Sequence, residues 1–132
     1  MNKETESRLI ESAIAARERA YAPYSNFKVG AALLLSDGKT IITGCNVENS
    51  SYGLAICAER NAICAAVAEG KQKFSAIVVA ATPLASPCGA CRQFIVEFGK
   101  DIDVISVDAN DTSKILRWTS DQLIPDSFEL EQ

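Results

Sequence analysis

Eight consecutive residues, Phe74-Ser75-Ala76-Ile77-Val78-Val79-Ala80-Ala81, constrain the fold of this chain more than any other stretch. The run is almost wholly apolar, with no alternation of polar and apolar positions. That is the pattern of a strand buried on both faces, which needs a packed layer above the sheet and another below. The surrounding segments have the character to provide those layers. Residues Glu4 to Ala20 place Leu9, Ile10, Ala13 and Ile14 on one helical stripe, with Glu6, Arg8, Glu11, Arg17, Glu18 and Arg19 opposite. Tyr21 to Phe27 reads as a loop, because Pro23 and Ser25-Asn26 interrupt any period. Lys28–Ser36 and Thr40–Cys45 read as strands around an Asp37-Gly38 hairpin turn.

Asn46–Ile56 is a polar loop. A helix is predicted from Cys57 to about Glu69, closed by Gly70, and a second from Cys88 to Gly99 after the Thr82–Pro87 loop. Asp103–Val107 and Ser113–Trp118 read as strands, and Ser120–Leu123 as a turn of helix. The order α-β-β-α-β-α-β-β-α predicts a three-layer α/β/α fold with a mixed sheet of about five strands. At 132 residues one domain is expected, spanning 1–132.

Composition removes several function classes. The chain has no His, so Ser-His-Asp and Cys-His nucleophilic machinery and any imidazole metal site are excluded. Its formal net charge is −4 and its Lys and Arg are scattered, which argues against a nucleic-acid surface. No apolar stretch approaches the ~20 residues of a membrane span, and the start Met1-Asn2-Lys3-Glu4 lacks the apolar core of a signal peptide. Five Cys without an export signal point to a reducing cytoplasm. There cysteine serves as a metal ligand, a catalytic thiol or a small buried hydrophobe.

Three of the five are arranged for chemistry. Cys57-Ala58-Glu59 opens one helix, and Pro87-Cys88-Gly89-Ala90-Cys91 opens the next after a spacer of 30 residues. This C-x-E…P-C-x-x-C pattern resembles the signature of zinc nucleobase deaminases. Helix N-termini favour thiolate through their free N–H groups and the dipole. Three thiolates on one tetrahedral Zn²⁺ leave a fourth position for water, the arrangement of a catalytic site. A closed structural site would recruit Cys45 or Cys64. Cys64 lies two turns along the helix, ~10 Å by rise, whereas spacing leaves Cys45 open. A thioredoxin-type dithiol is the other reading of the C-x-x-C. Arg60 and Arg92 share helix faces with Cys57 and Cys88, and are expected to donate hydrogen bonds to the sulfurs.

At these residues the chain resembles the cytidine deaminases of the small-subunit, usually homotetrameric kind. The stretches that carry the likeness run from Ala22 to Ala32 and from Gly44 to Asn49. They continue with Tyr52-Gly53, Cys57-Ala58-Glu59-Arg60 and Pro87-Cys88-Gly89-Ala90-Cys91-Arg92-Gln93. The resemblance implies one Zn²⁺ per chain on Cys57, Cys88 and Cys91. It also implies hydrolytic deamination of free cytidine and 2′-deoxycytidine, in pyrimidine salvage, to uridine and 2′-deoxyuridine with release of ammonia. Glu59 would shuttle protons from the attacking water to ring N3 and the departing amino group. Asn46 and Glu48 would hold ribose hydroxyls, and Ala58 would offer its N–H to the 2-oxo group. Phe27 would pack on the nucleoside. Val47 and Tyr52 belong to a pocket-lining loop partly shared between subunits, and Phe128 would stack on the base in a neighbouring subunit. Cys45 and Cys64 match no catalytic position.

Blander roles stand beside these: a polar turn at 46–49, a loop anchor at Phe27, a dipole-stabilising carboxylate at Glu59. Rival functions are a deaminase acting on polynucleotides, a deaminase of a nucleotide or a nucleoside-like antibiotic, and a structural zinc-binding module. Glu48 would repel a phosphorylated ribose. The structural module would need a fourth ligand and leaves Glu59 without a role.

Overall fold

The computed structural model describes residues 1–131. Helix α1 spans Lys3–Arg17, capped by the Asn2 side chain, which accepts from the Thr5 N–H. Strand β1 (Gly30–Leu35) and strand β2 (Ile41–Cys45) form the predicted hairpin. A short 3₁₀ turn at Tyr52–Leu54 interrupts the polar loop before α2 (Ala58–Ala68). Then follow β3 (Phe74–Ala81), α3 (Gly89–Val96), β4 (Asp103–Asp108), β5 (Asp111–Thr119) and the single turn α4 (Ser120–Leu123).

The five strands make one mixed sheet in the order β2-β1-β3-β4-β5, with β3 and β4 parallel and the other neighbours antiparallel. The apolar strand β3 sits at its centre. Its Ala76, Val78 and Ala80 join Leu9 and Ala13 of α1 on one face, together with Ala32, Leu34, Ile105 and Val107. Ile77 points the other way, onto Ala58, Ala62, Ile63 and Ala66 of α2 and Ile95 of α3, and Phe74 joins it from beyond the register shift at Leu34/Leu35. This period-two division is why the run could not alternate polar with apolar: both sides meet a helix layer.

Two glycines let the helices approach the sheet closely. A Cβ on Gly30 would lie 2.0 Å from the Ala13 carbonyl oxygen of α1, and one on Gly44 would lie 2.4 Å from the Ala62 nitrogen of α2. The second contact matters for the site, because it sets how far the N-terminus of α2 stands from the sheet.

The boundaries moved by one to three residues from their predicted places, for local reasons. α1 stops at Arg17 because the N–H groups of Glu18, Arg19 and Ala20 bond three residues back, tightening its end. β1 begins only at Gly30. The Val29 N–H donates to the Asn46 side chain and the Lys28 carbonyl accepts from Arg17, so these two groups pair with side chains rather than in the strand ladder. Each Cys-headed helix starts one residue later than predicted, because Cys57 and Cys88 are the extended capping residues themselves. The Asp37-Gly38 turn is as expected, with Gly38 at φ 72° and the Asp37 carboxylate accepting from the N–H groups of Lys39 and Thr40.

Candidate active site

The two helix starts meet on the face of the sheet that carries Ile77. Cys57 precedes the first turn of α2, Cys88 precedes that of α3, and Cys91 lies within it. The sulfurs of Cys57 and Cys88 are 3.7 Å apart, and all three sulfurs lie within 4.8 Å of one another. Two sulfurs each ~2.3 Å from one tetrahedral zinc stand ~3.8 Å apart, so the spacing fits that ion. The donor set fits it too: three soft thiolates, with no harder ligand in the group. Among the described residues neither Cys45 nor Cys64 joins the cluster. Cys64 is exposed on the outer side of α2, and Cys45 is set by its carbonyl, which accepts from the Asn61 amide at 2.8 Å. The site therefore has three protein sulfurs and an open side, which disfavours the closed structural zinc site.

Two of the sulfurs accept hydrogen bonds from neighbouring N–H groups. The Arg60 guanidinium donates to the Cys57 sulfur at 3.6 Å, and the Cys91 N–H donates to the Cys88 sulfur at 3.4 Å. With no cation present, the Cys57 thiol is lowered to about 5. A hydrogen bond from Cys91 is the main cause, followed by donation from Arg60, and burial opposes both. The Cys91 thiol is pushed up by the same hydrogen bond and by its burial. A divalent ion would replace that shared proton and leave three thiolates.

Arg92 does not act as the sequence suggested. Its Nε donates to the Pro87 carbonyl at 2.8 Å, its Nη1 to the Leu123 carbonyl at 2.8 Å, and its Nη2 to the Ser86 hydroxyl at 3.2 Å. Although Arg92 shares a helix face with Cys88, its guanidinium reaches past the cysteines to two backbone carbonyls and one hydroxyl of flanking segments. All three of these acceptors are oxygens.

Beside the sulfurs opens a cavity of about 200 Å³. Its floor includes Glu59, Ala58, Cys57 and Cys88, and its walls include Phe27 and Asn46. Glu59 is only 4% exposed, and burial raises its pKa above the ordinary carboxylate range, with the Cys57 charge adding. A carboxyl of that kind holds a proton nearer neutrality than a surface one. Ala58 is the first residue of α2, so its N–H lacks an intrahelical acceptor and lies at the cavity. A larger hollow of about 570 Å³, between the end of α3 and residues 127–131, contains none of the cysteines.

The other predicted contacts divide. The Asn46 amide lines the cavity but already bonds both sides of Lys28: its Oδ1 accepts from Val29 N–H at 2.9 Å and its Nδ2 donates to the Phe27 carbonyl at 2.8 Å. Glu48 stands back from the cavity. Its carboxylate accepts from the Tyr24 N–H at 3.0 Å, the Ser25 N–H at 3.2 Å and the Ser25 hydroxyl. The Ser25 hydroxyl bond is the chief cause of its lowered pKa. Val47 and Tyr52 lie outside the cavity with exposed side chains, Tyr52 edge-on to Tyr24. Phe128 is 70% exposed and away from the cavity of its own chain, although its carbonyl accepts from the Gln93 side chain at 3.1 Å.

Sequence reasoning missed Val79, Ala81, Ala85 and Ser86, which complete the wall. Val79 and Ala81 were in reach, because period two puts them on the Ile77 face of β3 at the end nearest the Cys88 loop. Ser25 was also overlooked. Its hydroxyl accepts from the Phe27 N–H while bonding Glu48, so one side chain shapes the rim.

Residues 3–107 match the cytidine and deoxycytidylate deaminase zinc-binding region. A probable cytidine deaminase of Dictyostelium discoideum is 48% identical over 99% of this chain and 88% of its own length. A cytidine deaminase of Sporosarcina psychrophila is 46% identical over 94% of this chain and 91% of its own. The crystal structure of cytidine deaminase from Burkholderia pseudomallei superposes with a TM-score of 0.87 at 46% identity, covering 97% of this chain and all of that one. The chain belongs to the zinc-dependent cytidine and deoxycytidylate deaminase family. Its three-layer fold with a mixed five-stranded sheet is that of the solved cytidine deaminases.

Proposed function

We propose that the protein deaminates free cytidine and 2′-deoxycytidine to uridine and 2′-deoxyuridine, releasing ammonia, in the cytoplasm and as part of pyrimidine salvage. The observation that carries this is the junction of three convergent cysteine sulfurs with a buried carboxyl, Glu59, at the floor of one cavity. Cys57, Cys88 and Cys91 would hold one zinc per chain. Zinc, when bound, supplies a Lewis acid that brings the ionisation of water toward neutral pH.

The remaining work falls to the chain's own groups. Ala58 N–H donates to the 2-oxo oxygen and orients the ring with C4 toward the sulfurs. Glu59 takes a proton from the attacking water and delivers it to N3 as the C4–O bond forms. It then carries the second proton of that water to the amino group, which leaves as ammonia as the C4–N bond breaks. Two protons leave the water and two are placed, so the step balances. Arg60 offsets the excess charge of three thiolates, which would otherwise oppose water ionisation. Asn46 keeps one N–H and one lone pair free of its loop bonds for a ribose hydroxyl. Glu48 supports the rim through Ser25 and reaches the ribose only if a bound sugar displaces part of that contact.

A cavity of about 200 Å³ is smaller than the roughly 300–1,000 Å³ usual for sites that enclose a small molecule. Phe27, Val47, Tyr52 and Phe128 are exposed around or beyond it. This motivates a homotetramer of single-domain subunits in which neighbours close each pocket, with Phe128 of one subunit stacking in another. Ultraviolet loss of cytidine with matched ammonia release, in zinc-loaded protein, tests the activity. 2′-Deoxycytidylate and single-stranded DNA serve as comparison substrates. No turnover of cytidine, or faster turnover of either comparison substrate, refutes the assignment. A fully active monomer by light scattering at assay concentration refutes the shared pocket.

A further inference from the structure

We infer that Arg92 is a positioning residue that locks the turn bearing Cys88 and the C-terminal arm bearing Phe128 into one unit; this rests on the deaminase reading above. The guanidinium holds three oxygens from two segments that are distant in sequence. Nε and Nη2 bond the Pro87 carbonyl and the Ser86 hydroxyl, immediately before the zinc ligand Cys88. Nη1 bonds the Leu123 carbonyl, at the end of α4 and five residues before Phe128. The adjoining Gln93 bonds the Phe128 carbonyl at 3.1 Å, so the same turn of α3 grips the arm twice. Ser86 also lines the cavity beside Glu59, which makes the clamped turn part of the pocket wall.

A planar guanidinium with five N–H groups can meet three acceptors in different directions at once, which an ammonium on a flexible stem does not reproduce. The consequence is mechanical. The Pro87-Cys88 peptide is fixed with respect to α3, and the arm leaves α4 along one path. The pocket a subunit builds and the aromatic it lends to its neighbour are then set by a single side chain. Loss of Arg92 should loosen both together.

The test compares zinc-loaded wild type, Arg92→Gln, Arg92→Lys, Phe128→Ala and the two double variants. The first readout is the rate at which zinc passes to a chromogenic chelator, which needs no catalysis. Arg92→Gln is expected to release zinc about 10–100-fold faster, the usual effect of removing a group that orients a metal ligand. Arg92→Lys should release it faster than wild type as well, because the charge remains but the fork is lost. The second readout is a KM cycle for cytidine. Arg92→Gln should raise KM roughly tenfold, the scale of one lost stacking contact. In the Phe128→Ala background the same substitution should raise KM less than threefold, since the contact it positions is already gone.

Zinc transfer within twofold of wild type for Arg92→Gln overturns the inference. So do KM effects of Arg92→Gln and Phe128→Ala that multiply independently. If Arg92→Gln does not fold, Arg92→Lys carries both comparisons, and wild-type zinc transfer and KM in that variant overturn the inference. A wild type that holds zinc yet leaves cytidine unchanged refutes the proposed activity instead, and the zinc-transfer comparison still tests the clamp.

Discussion

Gly44→Ala offers a test of how the sheet positions the chemistry. The added Cβ would stand 2.4 Å from the Ala62 nitrogen and 2.6 Å from the Ala58 carbonyl oxygen. Ordinary contact begins near ~3.5 Å, so α2 must retreat by roughly 1 Å. Both obstacles are backbone atoms, and neither can rotate aside. The retreat would pull Ala58, Ala62, Ile63 and Ala66 off the sheet face they cover. Overpacking of this kind costs about 1–3 kcal/mol. The same shift displaces Cys57 and Glu59 relative to Cys88 and Cys91, since the backbone atoms that the Cβ would strike belong to α2. A misplacement of ~1 Å at reacting groups costs about 10²-fold in rate. Urea unfolding and kcat per bound zinc measure the two effects in one preparation. Gly53→Ala is the control, because a Cβ there meets nothing within 4 Å, and it should leave stability within about 0.5 kcal/mol. A Gly44→Ala protein with stability within about 0.5 kcal/mol of wild type and unchanged turnover would refute this reasoning.

Glu59→Gln should retain zinc and the folded assembly but lose at least ~10²–10⁴-fold in kcat, because Gln keeps the shape and cannot carry the proton. Turnover within threefold of wild type, with zinc assayed in the same sample, would rule out the shuttle. Cys57→Ser, Cys88→Ser and Cys91→Ser should each lose zinc by metal analysis, while Cys45→Ser and Cys64→Ser keep about one per chain; an emptied site in either of the last two defeats the three-sulfur assignment. Asp37 has its pKa lowered to about 2 from 3.8, first by the Thr40 hydroxyl and then by the Thr40 and Lys39 N–H groups. A depressed carboxylate stabilises the fold above its unfolded value and ceases to do so as pH falls through the folded one. The melting difference between wild type and Asp37→Ala should therefore be constant above about pH 5 and shrink between pH 4 and pH 2. A difference independent of pH would refute the charged cap.

The layers and the meeting of three cysteines were legible in the residues alone. An unbroken apolar run at 74–81 can only lie between two covering layers, and helical periodicity in 4–20 and at the two Cys-headed segments provided them. The element order followed, down to the closing turn at Ser120–Leu123. Zinc-ligand spacing is equally local. A cysteine at one helix start and a C-x-x-C at the next are short-range features of the chain, and Glu59 stands two residues after Cys57. Helix–face geometry also placed Arg60 beside Cys57.

Other features of the site arise from contacts that no local period encodes. Arg92 shares a face with Cys88, yet its long side chain bonds oxygens up to 31 residues away. Which of several reachable acceptors a guanidinium takes depends on where α4 ends. Glu48 and Asn46 look alike as polar loop residues, but only Asn46 reaches the cavity. Glu48 turns to Ser25 because the bridges of Val47 to Tyr21 and Ile56 fix the loop's facing. The close seating of α2 on Gly44 belongs to the same class: a missing side chain carries no hydrophobic signal, and its meaning appears only when a backbone arrives to fill the space.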